Sequence, residues 1–175
     1  MRGSGVLASV CVLSLLVVIA AGAWAGDGVV ALQTAAPSCA DPTNPERYVH
    51  CGNGTVTDNE TGLVWLANAN CFGSWNWFEA MAAVAGLSDL PDDGDACASL
   101  TPAQCDCGLS DGSSPGEWRL PSVEEWEAMV ADADALGCSP KITNDAGNDC
   151  WDLLRVYGGA CSFYGVQSSW WWSSS

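Results

Sequence analysis

Basic residues are scarce in this sequence. Its 175 residues include five lysines and arginines against 21 aspartates and glutamates, which gives a formal net charge of −16 at pH 7. Nucleic acids, anionic lipid headgroups and sulfated polysaccharides are bound through clustered Lys and Arg side chains. The composition therefore argues against all three as partners and predicts an acidic surface that attracts cations.

Histidine is almost absent, since His50 is the sole one. A Ser or Cys nucleophile usually needs an adjacent base, most often histidine, and we interpret His50 as a surface residue beside Cys51. The motifs G-x-S-x-G and H-E-x-x-H and a phosphate-binding glycine loop are also missing. Among 21 acids some pair always has the spacing of a glycosidase, so a carboxylate-based hydrolase is the weaker alternative. We predict that the protein is not an enzyme.

Residues 1–25 have the pattern of a secretory signal peptide. Arg2 provides a positive start, residues 6–21 are almost wholly apolar, and Ala23-Trp24-Ala25 is a small-x-small cleavage site before Gly26. An uncleaved membrane anchor is the alternative, since about 20 apolar residues span a bilayer. We expect cleavage, no membrane insertion of the mature chain, and a secreted, periplasmic or cell-surface location.

Nine cysteines follow the predicted cleavage site, and in an exported chain they indicate a disulfide framework. Zinc binding needs paired C-x-x-C spacing, whereas the nearest pattern in this chain is Cys105-x-Cys107. Because nine is odd, one thiol is free, joins a disulfide-linked partner, or has lost its own partner. The nine are Cys39, Cys51, Cys71, Cys97, Cys105, Cys107, Cys138, Cys150 and Cys161.

Turn-forming residues separate the extended segments. Residues 26–46 are small, polar and Pro-containing, which predicts a linker with order beginning near Arg47. Two β-prone runs separated by turn formers then predict a hairpin over residues 55–66. Val56, Leu63 and Trp65 are its predicted core residues. Residues 88–106 are rich in Asp, Pro and Gly and predict an inserted surface loop.

Two helices are predicted from their capping residues. The first begins after Asn76, has Glu79 at its third position and is stopped by Gly86. Ser122 and Glu125 form a capping box for the second, which we expect to end at Gly137 in the left-handed conformation. The expected inner stripe of the first helix is Trp77, Met81, Val84 and the neighbouring alanines, and that of the second is Val123, Trp126, Met129, Val130 and Ala133. A short third helix is expected around residues 151–157.

Several segments together resemble one protein family in order and spacing. They are GNGTVTDNETGLVW at residues 52–65, NCFG and NW within residues 70–77, CGLSDGS at 107–113, WRLPSVEEW at 118–126, and WWSSS at 171–175. The family is the Lcl C-terminal domain family of bacterial exported proteins. The resemblance implies an α+β, C-type-lectin-like fold over residues 47–175, with two helices beside small, twisted antiparallel sheets.

The resemblance also carries expectations about ligand, chain length and disulfides. The family is named after a collagen-like surface adhesin that binds polysaccharide, which implies carbohydrate binding. A heparin-type ligand does not fit this chain, because Arg47, Arg119, Lys141 and Arg155 are its only basic residues after cleavage. Family domains continue past the WWSSS segment, so this chain is either truncated or completes its sheet differently.

For the disulfides, the resemblance implies a Cys71–Cys107 pair. Cys97 with Cys105 would then close the inserted loop, and Cys39 with Cys51 would tie down the linker. Among Cys138, Cys150 and Cys161, two pair and one remains.

Two acidic loops are candidate calcium sites. Hard cations require several converging oxygen ligands, but neither loop has the EF-hand spacing, and the Glu-Pro-Asn and Gln-Pro-Asp tripeptides of calcium-dependent lectins are missing. A solvated acidic loop is the alternative in each case. The candidates are Asp89, Asp92, Asp93 and Asp95 in the first loop, and Asp145, Asn148, Asp149 and Asp152 in the second.

Tryptophan and Arg119 are the remaining candidates. An indole can stack on a sugar, and we select Trp75 and Trp170 for that role. Trp65, Trp77, Trp118 and Trp126 lie at inward positions of the predicted elements. We interpret Arg119 as a structural residue whose guanidinium meets a buried carboxylate or backbone carbonyls, and we predict that Arg119→Ala impairs folding.

These features together predict a non-catalytic, extracytoplasmic binding domain. We expect its acidic loops to recognise a glycan or a surface protein, with no certain cofactor and with calcium as the candidate ion. The alternative is a structural component of a cell-surface assembly, in which a partner supplies the missing strands or pairs with the odd cysteine.

Overall fold

The computed structural model describes residues 31–33, 39–73, 75–89, 107–167 and 173–174. These residues form an α+β structure with a small antiparallel sheet and three helices. The strands are β1 (Leu32–Gln33), β2 (Tyr48–His50), β3 (Thr55–Asp58), β4 (Val64–Leu66) and β5 (Trp118–Arg119). The helices are α1 (Trp77–Gly86), α2 (Val123–Leu136) and α3 (Leu153–Tyr157). Among the described residues, no helix is long and apolar enough to cross a membrane.

The sheet has the strand order β2-β3-β4-β1-β5, and every neighbouring pair is antiparallel. The predicted hairpin is confirmed as β3 and β4, in which Val56 lies opposite Trp65. Both side chains are fully buried, and the partly buried side chain of Leu63 packs against the same core. The alternation of apolar residues therefore predicted correctly which face of this hairpin is buried.

Strand β1 corrects the prediction that residues 26–46 are a linker. Leu32 and Gln33 lie between β4 and β5 in the sheet, with Leu32 opposite both Trp65 and Arg119. Ala31 and Leu32 are fully buried. A strand of two residues has too little periodicity to be recognised in a sequence, and its stability comes from pairing with distant segments. Order in this domain therefore begins before Arg47.

The sheet separates two hydrophobic cores. Leu32, Val56 and Trp65 lie side by side on one face and cluster with Met129 of α2. Successive residues of a strand point to opposite faces, so Leu66 belongs to the other face, where it clusters with Ala83 and other residues of α1. Helices α1 and α2 therefore cover opposite faces of the sheet.

Helix α1 has the predicted cap and part of the predicted inner stripe, namely Val84 and neighbouring alanines. Asn76 and Glu79 form a reciprocal capping box, and the helix ends at Gly86. The side chains that it buries are Ala80, Ala83 and Val84, whereas Met81 is exposed and Trp77 is half-buried. Small residues let the helix lie close to β5, and this close approach turns the larger side chains outward. The prediction of Trp77 and Met81 as core residues was therefore wrong.

Helix α2 follows its prediction more closely. Ser122 and Glu125 form the capping box, and Gly137 ends the helix in the left-handed conformation with φ of +73°. Met129 and Ala133 are buried, Trp126 is half-buried, and its indole lies 5.5 Å from that of Trp65 in a tilted arrangement. The predicted inner position of Val123 was wrong, because this side chain is exposed in the first turn.

Three cysteine pairs are within disulfide distance in the described residues. The predicted pairs Cys39–Cys51 and Cys71–Cys107 are confirmed. Of the three cysteines left open by the sequence, Cys138 and Cys150 pair, and Cys161 is free and buried. The predicted Cys97–Cys105 pair lies outside the described residues.

Gly54 brings the turn between β2 and β3 against the segment that follows Cys107. Its φ is +85°, and a Cβ atom at this position would lie 2.4 Å from the carbonyl oxygen of Gly108. The backbone amide of Ser110 donates to the carbonyl of Asn53 at 3.0 Å. A side chain at position 54 would prevent this contact, which explains why glycine is required there.

Candidate functional site

An open cleft of about 490 Å³ lies at the edge of the sheet, beside β2 and α3. We call it the acidic cleft. Its polar lining residues are Asn44, Glu46, His50, Asp145, Ser162 and Tyr164, and Val49, Val156, Gly159 and Cys161 complete the described lining. None of these described lining residues is Lys or Arg. The cleft therefore presents carboxylate, amide and hydroxyl groups to a ligand.

Asp145 is the lining residue of the acidic cleft that is most extensively hydrogen-bonded within the protein. It is buried, and its carboxylate accepts hydrogen bonds from the backbone amide of Ser162 at 2.6 Å and from the Ser162 hydroxyl at 2.9 Å. Its carbonyl oxygen accepts a hydrogen bond from the amide of Tyr48 at 3.0 Å. Burial raises the pKa of Asp145, and the hydrogen bonds from Ser162 oppose that rise. Asp145 thus joins β2 to the segment after α3.

His50, the sole histidine of the sequence, and Cys161, which is free among the described cysteines, both line the acidic cleft. His50 is exposed, as predicted, and its Nδ1 accepts a hydrogen bond from the amide of Gly52 at 3.0 Å. Cys161 is 6% exposed, and burial raises the pKa of its thiol. The reactive form of cysteine is the thiolate, which a raised pKa disfavours. This arrangement does not favour nucleophilic catalysis by Cys161.

The described residues of the second predicted calcium loop each make a contact within the protein. Asp149 forms an ion pair with Arg155, and Asp152 caps α3 by accepting a hydrogen bond from the amide of Leu154. The Asn148 side-chain oxygen accepts a hydrogen bond from the Asn144 amide group at 3.1 Å. Within the described ranges, no group of three or more His, Cys, Asp or Glu side chains is arranged to hold a metal ion. Asp92, Asp93 and Asp95 lie outside the described residues.

Trp75 is packed into the protein rather than displayed for stacking on a ligand. Its indole N–H donates to the carbonyl of Phe72, and its side chain packs against the core beneath α1. Trp170, the other candidate, lies outside the described residues. Trp65 and Trp118 are buried as predicted, and the Trp118 indole donates to the Ser113 hydroxyl at 3.1 Å.

Arg119 contacts a carboxylate and a backbone carbonyl, as predicted, but the carboxylate is half-buried rather than buried. Its two terminal nitrogens contact the two oxygens of Glu125 at 2.7 and 2.5 Å, and one of them also donates to the carbonyl of Leu120 at 3.0 Å. Glu125 in turn accepts a hydrogen bond from the backbone amide of Ser122 at 2.7 Å. Arg119 therefore lowers the pKa of Glu125 and connects β5 to the cap of α2.

Two features of the structure were not predicted from the sequence. The first is Arg47, whose buried guanidinium contacts Asp58 at 3.2 Å, Asp132 at 2.7 Å and the carbonyl of Ala128 at 2.9 Å. The sequence feature that could have indicated its role is its rarity, since it is one of very few basic residues in an acidic chain.

The second is the exposure of α3: the helix itself was predicted, but none of its side chains is buried. Its Leu-Leu-Arg-Val-Tyr sequence indicated a helix, but nothing in the sequence indicated that its apolar residues face solvent.

The fold and the cleft together define a small, disulfide-linked α+β domain with an acidic concave surface. Comparisons with family models, with curated proteins and with solved structures find no match for this chain.

Proposed function

We propose that this protein is an exported, non-catalytic binding domain whose ligand site is the acidic cleft. The observation that carries the proposal is the chemistry of the described lining, which offers the Glu46 and Asp145 carboxylates and the Tyr164 side chain without a Lys or Arg. Such a surface is complementary to hydrogen-bond donors. Its ligand therefore presents either the hydroxyl groups of a neutral glycan or the cationic groups of a surface protein.

Export is part of the proposal. Residues 1–25 have the signal-peptide pattern, and the three disulfide pairs need an oxidising compartment to form and persist. We place the mature protein in the periplasm, on the cell surface or in the medium.

Membership of the Lcl C-terminal domain family and a C-type-lectin-like fold also belong to the proposal. The Trp-Arg-Leu-Pro motif supports them, since it forms β5 and leads directly into the capping box of α2. The combination of two longer helices, a small antiparallel sheet and disulfides is compatible with such a fold.

A binding experiment on the purified mature protein tests the function. Neutral glycans, sulfated glycans and basic peptides would be titrated separately by calorimetry, with product release followed in parallel. We expect saturable binding of a neutral or cationic ligand, no binding of sulfated glycans, and no turnover. Glu46→Gln should weaken binding roughly threefold to tenfold, because a charged acceptor is lost.

The matched control is Glu127→Gln, which removes the same charge from an exposed position on α2. Equal weakening by both variants would mean that net charge, rather than the acidic cleft, accounts for binding. Release of a cleaved product would contradict the non-catalytic function and indicate a hydrolase instead. Preference for sulfated ligands would contradict the proposed chemistry of the cleft.

A further inference from the structure

Helix α3 carries an exposed apolar surface. Leu153 is 53% exposed, Leu154 is 77% exposed and Tyr157 is 82% exposed. Single exposed apolar residues are common in soluble proteins, but a contiguous group of large ones marks an interaction site more often. Three such residues within a five-residue helix form a group of this kind.

The helical geometry makes this surface continuous. Residues in an α-helix are about 100° apart around the axis, so Val156, Leu153, Tyr157 and Leu154 follow one another over an arc of roughly 160°. Arg155 lies on the remaining side of the helix, where it pairs with Asp149. The apolar arc therefore contains no charged side chain of α3.

The apolar arc adjoins the acidic cleft. Val156, at one end of the arc, lines that cleft together with Glu46 and Asp145. A ligand that covers α3 can therefore extend into the cleft and place its neighbouring groups against the two carboxylates. A partner complementary to the whole surface carries apolar side chains beside positive charge.

We propose that the apolar arc of α3 and the acidic cleft together bind a peptide segment of a second exported protein, in which apolar residues adjoin Lys or Arg. This inference rests on the proposed function and deepens it by choosing a protein as the ligand. A glycan interacts with carboxylates and with an aromatic ring, but it does not cover two exposed leucines. A second copy of this chain is disfavoured, because each copy has a formal net charge of −16.

Synthetic peptides and surface variants of the purified mature protein test the inference. The probe is a short peptide in which leucines adjoin lysines, and two control peptides replace the lysines by glutamate or the leucines by serine. Because they are exposed, Leu154→Ser and Tyr157→Ser should leave the thermal unfolding midpoint nearly unchanged. Each should weaken binding of the Leu/Lys peptide by roughly tenfold. Glu46→Gln should weaken it less and reduce its dependence on salt.

Phe78→Ser provides the matched control. Phe78 is 78% exposed on α1 and is not among the described residues that line the acidic cleft, so this variant should bind the peptide as the unaltered protein does. Equal loss of binding in Phe78→Ser and Leu154→Ser would indicate nonspecific hydrophobic association and would overturn the inference.

The same titrations separate failure of the inference from failure of the proposed function. If a neutral oligosaccharide saturates the acidic cleft and the peptide does not bind, the binding function stands and the choice of a protein ligand is overturned. If neither binds, both are overturned. Concentration-dependent dimerisation that Leu154→Ser abolishes would identify a second copy as the occupant of α3 and would also overturn the inference.

Discussion

At the scale of single residues, the Glu125 carboxylate has two structural roles. It completes the capping box of α2 with Ser122 and accepts both hydrogen bonds from Arg119. Arg119 thereby connects the second helix to β5, which is paired with β1. This connection explains why a charged residue stands between buried Trp118 and Leu120.

We predict that Arg119→Ala lowers the free energy of unfolding by about 1–2 kcal/mol. The variant loses charge-assisted hydrogen bonds, but the partial exposure of the ion pair reduces their value. Urea denaturation followed by tryptophan fluorescence measures this change. An unaltered midpoint with normal yield would show that Arg119 has no structural role.

The Glu125–Arg119 pair also predicts a pH dependence of stability. Arg119 lowers the pKa of Glu125 below its ordinary value of 4.5, so the unfolded state binds more protons in this range. The stabilisation is complete above pH 4.5 and is lost as the pH falls through the folded-state pKa. Glu125→Gln keeps a capping side chain without the charge, and its thermal midpoint should fall less steeply below pH 4.5.

Glu127→Gln, which alters an exposed acid on the same helix, is the control for this pH series. Burial raises the pKa of Asp145, so this residue makes stability change with pH in the opposite direction. The unaltered protein and both variants share this contribution, and it therefore cancels when their curves are compared. Parallel curves for the unaltered protein and Glu125→Gln would contradict the assignment.

Cys161 leads to a prediction about thiol reactivity. Its sulfur is buried and the raised pKa of the thiol disfavours the thiolate, so we expect slow alkylation in the native protein and rapid alkylation after denaturation. Peptide mapping by mass spectrometry identifies the labelled residue. A disulfide-linked partner stays a prediction, and a dimer on a non-reducing gel that the Cys161→Ser variant lacks would establish it.

At the scale of secondary-structure elements, Arg47 joins three parts of the fold. It lies immediately before β2, pairs with Asp58 at the end of β3, and reaches Asp132 and the carbonyl of Ala128 in α2. The side chains of Arg47 and Asp58 are almost completely buried. A buried ion pair adds little to stability when compared with well-packed apolar residues in the same place. Removal of one partner alone is strongly destabilising, because it leaves an uncompensated buried charge.

We predict that Arg47→Met lowers the free energy of unfolding by about 3–5 kcal/mol, because the Asp58 carboxylate then stays buried without its partner. Adding Asp58→Asn should restore part of the loss, since the substitution removes the charge and keeps a side-chain oxygen that can accept the hydrogen bond from the amide of Glu60. Urea denaturation of the single and double variants measures the coupling.

Arg155→Met is the matched control for Arg47→Met. Arg155 also pairs with an aspartate, but both side chains of that pair are more than a third exposed, so its loss should cost about 0–1 kcal/mol. Equal effects of the two substitutions would show that burial of the Arg47 pair is not the cause of its importance.

At the scale of the whole molecule, the disulfides connect segments that are distant in sequence. Cys71–Cys107 closes a separation of 36 residues, whereas Cys138–Cys150 closes one of 12. In the chain-entropy description, removing the longer link costs about 4 kcal/mol and removing the shorter one about 3 kcal/mol. We predict that the Cys71→Ser/Cys107→Ser double variant is the less stable of the two.

The Cys138→Ser/Cys150→Ser double variant serves as the comparison, because each pair combines one buried cysteine with a half-buried one. Urea midpoints of the oxidised proteins measure the difference. Greater destabilisation by loss of the Cys138–Cys150 pair would mean that local packing outweighs the entropy of the unfolded chain.

The sequence alone determined the parts of this protein whose interactions are local. Asn76 with Glu79 and Ser122 with Glu125 are three residues apart, so each cap could be read directly, as could the hairpin of β3 and β4. The Arg119 contacts were also predictable, because its partner Glu125 lies within the same short motif. The Cys71–Cys107 pair followed from the family resemblance and not from local pattern.

The tertiary structure decided everything that depends on residues distant in sequence. It placed Leu32–Gln33 inside the sheet, left Trp77 and Met81 of α1 outside the core, and brought Arg47 to Asp132. It also gathered His50, Asp145 and Cys161 around one cleft. These outcomes depend on how neighbouring elements pack, and the free energy of that packing depends on side chains that no local window of sequence contains.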